Sequence, residues 1–288
     1  MTIMHTDATN TEDAAPANET VISVRALVTH YGPRPILKSV ELDVRDGEIL
    51  VIMGGSGSGK STLLRHMLGL EAPTSGTIRI LETDITAGDA RALAELRRKI
   101  GVAFQSGALF SSMTVVENIV LPLVEHTDLD PVTMKIMARL KLEVVGLAGF
   151  EELRPSELSG GMIKRAAFAR AIIMDPKILF CDEPSAGLDP AVASAIDDLI
   201  LDLRAAMGMT VVVVTHELES AFKIADRIAV LDNGQILFVG TVEEVRGHPS
   251  ERIQNLLNRR PEDDTIDPDA YLDRLTREYG PHPDERRR

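Results

Sequence analysis

The stretch GGSGSGKST restricts the fold of this chain more than any other. Gly54, Gly55, Ser56, Gly57, Ser58, Gly59, Lys60, Ser61 and Thr62 satisfy G-x-x-x-x-G-K-[ST], and they lie between an apolar run, EILVIM, and a segment with helical patterning. That strand-loop-helix context is what gives the motif its meaning. Glycines leave room for backbone N–H groups from Gly55 to Ser61 to close on triphosphate oxygens, and the positive end of the following helix adds to them. Lys60 is expected to reach the β and γ phosphates, and Ser61 to ligate Mg²⁺.

Further runs read as strands of one parallel sheet. EILVIMG, GVAFQ, KILFCDE and MTVVVVTHE are short and almost continuously apolar, the mark of central strands covered on both faces, and helical stretches separate them. Ligands of such sheets gather where the strands end. ILFCDE places Asp182 there as a carboxylate for the Mg²⁺ shell, with Glu183 as the group to orient and deprotonate an attacking water. His216 and Gln105 close their own runs in the same way. Cys181 is expected to pack inside its strand.

Around this centre the expected architecture is α/β, a mostly parallel central sheet with an N-terminal antiparallel β subdomain and an inserted helical subdomain. Val40, Leu42 and Val44 alternate with acids, which suits an antiparallel opening over residues 21–44. Between about 106 and 175 helix starts replace strands: TVVE from Thr114 is a capping-box pattern, and Asp130-Pro131 opens another segment. Asp189-Pro190 starts a helix that leaves at Gly208, and Asn233-Gly234 between apolar runs signals a two-residue hairpin.

Residues 1–20 read as a disordered acidic tail and 247–288 as a helical extension with a charged tail. There, Tyr271, Leu272, Leu275 and Tyr279 share one helical face, either as a solvated helix or as an arm for a second subunit.

The net charge of −13 is mostly a property of residues 1–20 and 261–288, which carry −8 and leave −5 to the remainder. That balance argues against nucleic acid as a partner. A single cysteine excludes an internal disulfide framework and fits a reducing compartment. No run approaches the ~18 apolar residues of a membrane span, so a membrane role would pass through a partner.

Taken in order, GGSGSGKST, FQSGALF, LSGGM, ILFCDEP, SAGLDP and VVTHE resemble the ATP-binding-cassette (ABC) ATPases over roughly residues 21–246. The resemblance implies the P-loop NTPase fold, ATP and Mg²⁺ as cofactors, and a homodimer in which each nucleotide lies between one copy's phosphate loop and the other's signature. Ser159, Gly160, Gly161 and Met162 would then be the trans half of a neighbour's site. Glu183 would be the catalytic base, His216 the γ-phosphate switch, Gln105 a Mg²⁺-linked sensor and Asp189 a dimer contact. Tyr31 matches the aromatic that stacks on adenine, with strand-edge packing as the alternative. Met162 stands where the family commonly has Gln, and a thioether cannot donate an amide's hydrogen bonds.

FQSGALFSSMTVVENIVLPL, EHT and PSELSGGMIKRAAFARAI further resemble the ATPases of Mla/Mce-type systems, which move phospholipids or other hydrophobic molecules between membranes. That implies permease subunits, a Mce-type substrate-binding protein, a small accessory protein and a place on the cytoplasmic face of the inner membrane. Met113, Val115 and Val116 would line the permease groove or fill the helical core. A polar cargo such as an amino acid is the second reading. An ABC protein acting on ribosomes or DNA is a third, disfavoured by the single phosphate loop and the lack of a basic run. The absence of N-K-x-D disfavours a GTPase.

Overall fold

The computed structural model describes residues 19–258. The chain opens with an antiparallel hairpin, β1 (Thr20–Tyr31) and β2 (Arg34–Arg45), in which Val40, Leu42 and Val44 are buried and Glu41 is exposed. A fully buried strand β3 (Ile49–Met53) leads through the glycine loop into α1 (Lys60–Met67). Next come β4 (Ser75–Ile80), a short β5 (Thr83–Asp84), α2 (Ala90–Arg97) and β6 (Ile100–Ala103). The sequence reading did not identify β4 and β5. They complete a four-stranded antiparallel sheet in the order β2-β1-β4-β5.

The helical stretch contains α3 (Val115–His126), α4 (Pro131–Val144), a single 3₁₀ turn at Pro155–Glu157 and α5 (Gly160–Ala171). Its starts follow the expected chemistry. Thr114 and Glu117 form a reciprocal capping box, and Asp130 caps α4 with Pro131 in the first turn. Val115 and Val116 are buried, so the groove-or-core alternative resolves to core for these two, while Met113 is half-buried.

The chain then alternates strand and helix through β7 (Ile178–Asp182), α6 (Pro190–Met207), β8 (Thr210–Thr215), α7 (Leu218–Ile224), β9 (Arg227–Asp232), β10 (Gln235–Gly240) and α8 (Val242–Arg246). Asp189 caps α6, and Gly208 leaves it in the left-handed conformation at φ 63°. The six-stranded sheet runs β10-β9-β3-β8-β7-β6, with every pair parallel except β9 and β10. β3 and β8, buried along their whole length, are the central strands their apolar runs imply.

GVAFQ differs from that expectation: β6 is an edge strand with alternating burial. A Cβ on Gly101 would lie 2.3 Å from the carbonyl oxygen of Ala171, so the end of α5 lies close over one face of this strand.

The main core joins both sheets through α1. Ile22, Leu27 and Ile78 from the antiparallel sheet pack in one cluster with Leu63 and Met67 of α1 and with Leu50, Phe180 and Val212 of the larger sheet. This packing anchors α1, and with it the loop that precedes it. Of the described residues, those up to Gly247 form one compact unit. In the second unit, which begins at His248, α9 (Glu251–Leu257) follows Ser250. Most of the acidic segment 1–20, and the face bearing Tyr271, Leu272, Leu275 and Tyr279, lie outside the described residues.

Candidate nucleotide-binding and hydrolysis site

The phosphate loop is held from below by close backbone approach. A Cβ on Gly54 would stand 2.0 Å from the carbonyl oxygen of Leu231 on β9, so only glycine fits there. The β9–β10 turn supports the other side. Asn233 and Gly234 have positive φ (46° and 77°), as a two-residue hairpin of this kind requires, and Gly234 N–H donates to the Ser58 carbonyl at 3.0 Å. Gly59 at φ 107° turns the chain into α1. Lys60 is buried, and its ammonium donates to the carbonyls of Gly54 (2.8 Å) and Gly55 (2.9 Å). Burial lowers its pKa, while the charges of Glu183 and Asp182 act in the opposite direction. A cavity of about 250 Å³ spreads in front of the loop and is lined also by Tyr31 and Arg34. Tyr31 is 46% exposed, so it does not serve as core packing, and its hydroxyl donates to Glu71 Oε2 at 2.6 Å.

The acids sit at the carboxyl end of β7. Asp182 is half-buried and its pKa is raised, first by burial and then by the charge of Glu183. Glu183 is buried and has φ 46°, a conformation that costs a non-glycine residue about 1–2 kcal/mol. Its surroundings hold it there. Its N–H donates to the Val214 carbonyl, Thr215 Oγ1 donates to Oε2 at 3.1 Å, and His216 Nδ1 donates to Oε1 at 2.8 Å. The ends of β7 and β8 thus bring together the glutamate and the histidine singled out from the sequence. His216 remains half exposed, with Nε2 3.3 Å from Glu217 Oε1.

The donor set fits a magnesium nucleotide. Asp182 Oδ1 and Ser58 Oγ are buried without a hydrogen-bond partner, so each has bonding capacity left for a ligand. Asp182 and the Ser61 hydroxyl would hold Mg²⁺, and the ion would supply positive charge that offsets the phosphate oxygens; Gln105 is exposed, and its backbone carbonyl accepts from Lys164.

The signature residues occupy the start of α5. Ser159 caps it by accepting from Met162 N–H, and Ser159 and Gly160 are exposed. A Cβ on Gly161 would come within 2.6 Å of Val192 Cγ1, so this glycine lets α5 pack against the first turn of α6 beside Asp189. Among the described residues, none from 159 to 162 lines the cavity in front of the phosphate loop. The sequence motifs therefore divide into a converged group and a separate, outward-facing one.

Two basic side chains that sequence reading passed over also bind this region. Lys164 donates to the carbonyls of Gln105 and Glu183. Arg170 donates to those of Gly107 and Ala108. The signal for Lys164 was present, because it shares a helical face with Ala167, Phe168 and Ala171, all buried, and a buried lysine needs partners.

The chain belongs to the ABC transporter family, whose model matches residues 37–186. It is an ATPase domain of that family, uses ATP and Mg²⁺, and such cassettes act as dimers with membrane permease partners. It is 39% identical over 240 residues to the intermembrane phospholipid transport system ATP-binding protein MlaF of Haemophilus influenzae, covering 83% of this chain and 91% of the relative. It is equally 39% identical over 239 residues to the probable ribonucleotide transport ATP-binding protein mkl of Mycobacterium leprae, covering 83% and 69%. Among solved structures, a dimeric post-hydrolysis state of the ATP-binding cassette MJ0796 bound to ADP and Pi aligns with a TM-score of 0.71 and 33% identity. That alignment covers 77% of this chain and 98% of the other.

Proposed function

We propose that this chain is the ATP-hydrolysing subunit of a transporter that moves phospholipids or other hydrophobic molecules between membranes, working as a homodimer on the cytoplasmic face of the inner membrane. The observation that carries the hydrolytic part is the Glu183–His216 pair after the adjacent strands β7 and β8, at the same carboxyl end of the parallel strands as the loop that leads from β3 to Lys60. Lys60 and the loop N–H groups grip the phosphates, and Tyr31 stacks on adenine. Glu183 accepts a proton from the attacking water, and His216 reports the γ phosphate. Ser159 and the N–H groups of Gly160 and Gly161 act on the nucleotide of the other copy, with Asp189 at the subunit contact. Met162 contributes contact area in place of amide hydrogen bonds. The cassette comprises residues 21–246, with the helical insertion at about 106–175.

Two surfaces support a membrane partner. A groove of about 360 Å³ beside Gln105 is lined by Phe104, Phe110, Pro122, Arg170 and Met174, a size and character suited to a permease helix. On α4, Val132, Ile136, Leu140 and Val144 recur every fourth residue, each more than half exposed. That row suits the small accessory protein. Among the described residues no helix is long and apolar enough to cross a membrane, and in this reading contact with the bilayer passes through the permease.

MlaF favours a lipid cargo and mkl a polar one; an amino acid importer remains the second reading. Affinity purification of the full chain from membranes, with mass spectrometry of proteins and lipids, separates them. The lipid reading expects a permease, a Mce-type substrate-binding protein, a small accessory protein and phospholipid to copurify. A permease arriving with a soluble solute-binding protein and no lipid would reject it.

A further inference from the structure

Lys164 has no place in the reaction as described, yet it is, with Lys60, a buried lysine among the described residues, and its ammonium donates to two residues of the site. It rises from α5, five residues past the Ser159 cap. Its ammonium bridges two segments that are remote in sequence, the backbone of Gln105 after β6 and the backbone of Glu183 after β7, the latter at 2.9 Å. Burying a lysine here works against its charge, and the nearby carboxylates of Glu183 and Asp182 offset that cost. Packing alone would be served better by a methionine of similar length.

The two segments it joins have different duties. Glu183 sits in a left-handed conformation that has to be held. Its carbonyl accepts from Lys164 and more distantly, at 3.3 Å, from Ala186 N–H. Gln105 begins the loop that lines the groove beside Phe104 and Phe110. Arg170 pins the same loop at Gly107 and Ala108, and the buried Asn118 pins it through Phe110. α5 therefore holds the loop by two cations, and one of them also holds the residue bearing the base.

We propose that Lys164 is a positioning residue that ties the Gln105 segment to Glu183, so that a shift of the groove wall is felt at the backbone of the base. The inference rests on the reading of Glu183 as the base. A charged hydrogen bond to a carbonyl suits this use, because it is stronger than a neutral one. The link acts through Glu183 and does not touch the phosphates. Its loss should therefore appear in turnover and leave nucleotide binding alone.

The test uses the purified full chain as wild type, Lys164→Met, Lys164→Arg and Glu183→Gln. For each protein, kcat and KM for Mg-ATP, affinity for a fluorescent ATP analogue and the thermal midpoint are measured. Lys164→Met is expected to lower kcat by about 10–100-fold while KM and analogue affinity move by less than about twofold. Lys164→Arg, which keeps charge and donors, is expected to recover most of kcat. If Lys164→Met fails to fold, Lys164→Gln, a shorter neutral donor, is expected to show the same split.

Normal kcat in Lys164→Met would overturn the inference. So would a loss confined to KM, or a loss that Lys164→Arg does not relieve. The control separates the two readings: near-normal turnover in Glu183→Gln removes the base and the inference with it, whereas a dead Glu183→Gln beside a fully active Lys164→Met rejects the inference alone.

Discussion

Glu183→Gln is expected to lower ATP turnover by about 10²–10⁴-fold while leaving ATP bound, the range general-base loss commonly produces. The amide keeps the shape of the side chain, and its oxygen can still accept from Thr215 Oγ1 or His216 Nδ1, which with the His216 backbone N–H hold the carboxylate. It cannot take up a proton from water. Lys60 and the glycine loop are untouched, so the phosphates stay gripped. The trapped nucleotide should hold two copies together, and light scattering with ATP and Mg²⁺ should report a dimer that outlasts the wild-type one. Near-normal hydrolysis by the variant would reject the base assignment.

Mixing two inactive proteins should restore activity. Lys60→Met removes the cation that contacts the Gly54 and Gly55 carbonyls, and Ser159→Phe blocks the exposed cap of α5. In the proposed twofold dimer each loop is paired with the other copy's cap. A mixed dimer then contains one site with both defects and one with neither. At equal amounts, mixing should recover about a quarter of wild-type activity if each site turns over alone, because half the dimers are mixed and each has one sound site. The measurement is the ATPase rate against mixing ratio. A mixture no better than either parent would count against shared sites.

The strands and loops of the candidate phosphate site were legible because their chemistry is local. The glycine loop, the acids after ILFC and the histidine after TVVVV are each a few residues long and end a buried run. The caps at Thr114, Asp130 and Asp189, and the Asn233-Gly234 turn, likewise depend on neighbours in sequence. What escaped depends on contacts far along the chain. β4 reads poorly because SGTIRI has only two buried aliphatic positions, and it is specified by pairing with β1. The support given to the phosphate loop by Leu231 and Gly234, more than 170 residues away, leaves no local trace. The edge position of β6 escaped because an apolar run reports burial without reporting which neighbour supplies it. Lys164 stood on a buried face where its charge was visible, but its partners at Gln105 and Glu183 were not.

At the centre of this account is a reaction that needs parts from two copies. The direct measurement is ATPase rate per chain across a dilution series, with the mass in solution determined at every concentration. The rate per chain should fall in step with the dimer fraction and approach zero where only monomer remains. A constant rate per chain, sustained by a population shown to be monomeric, would contradict it.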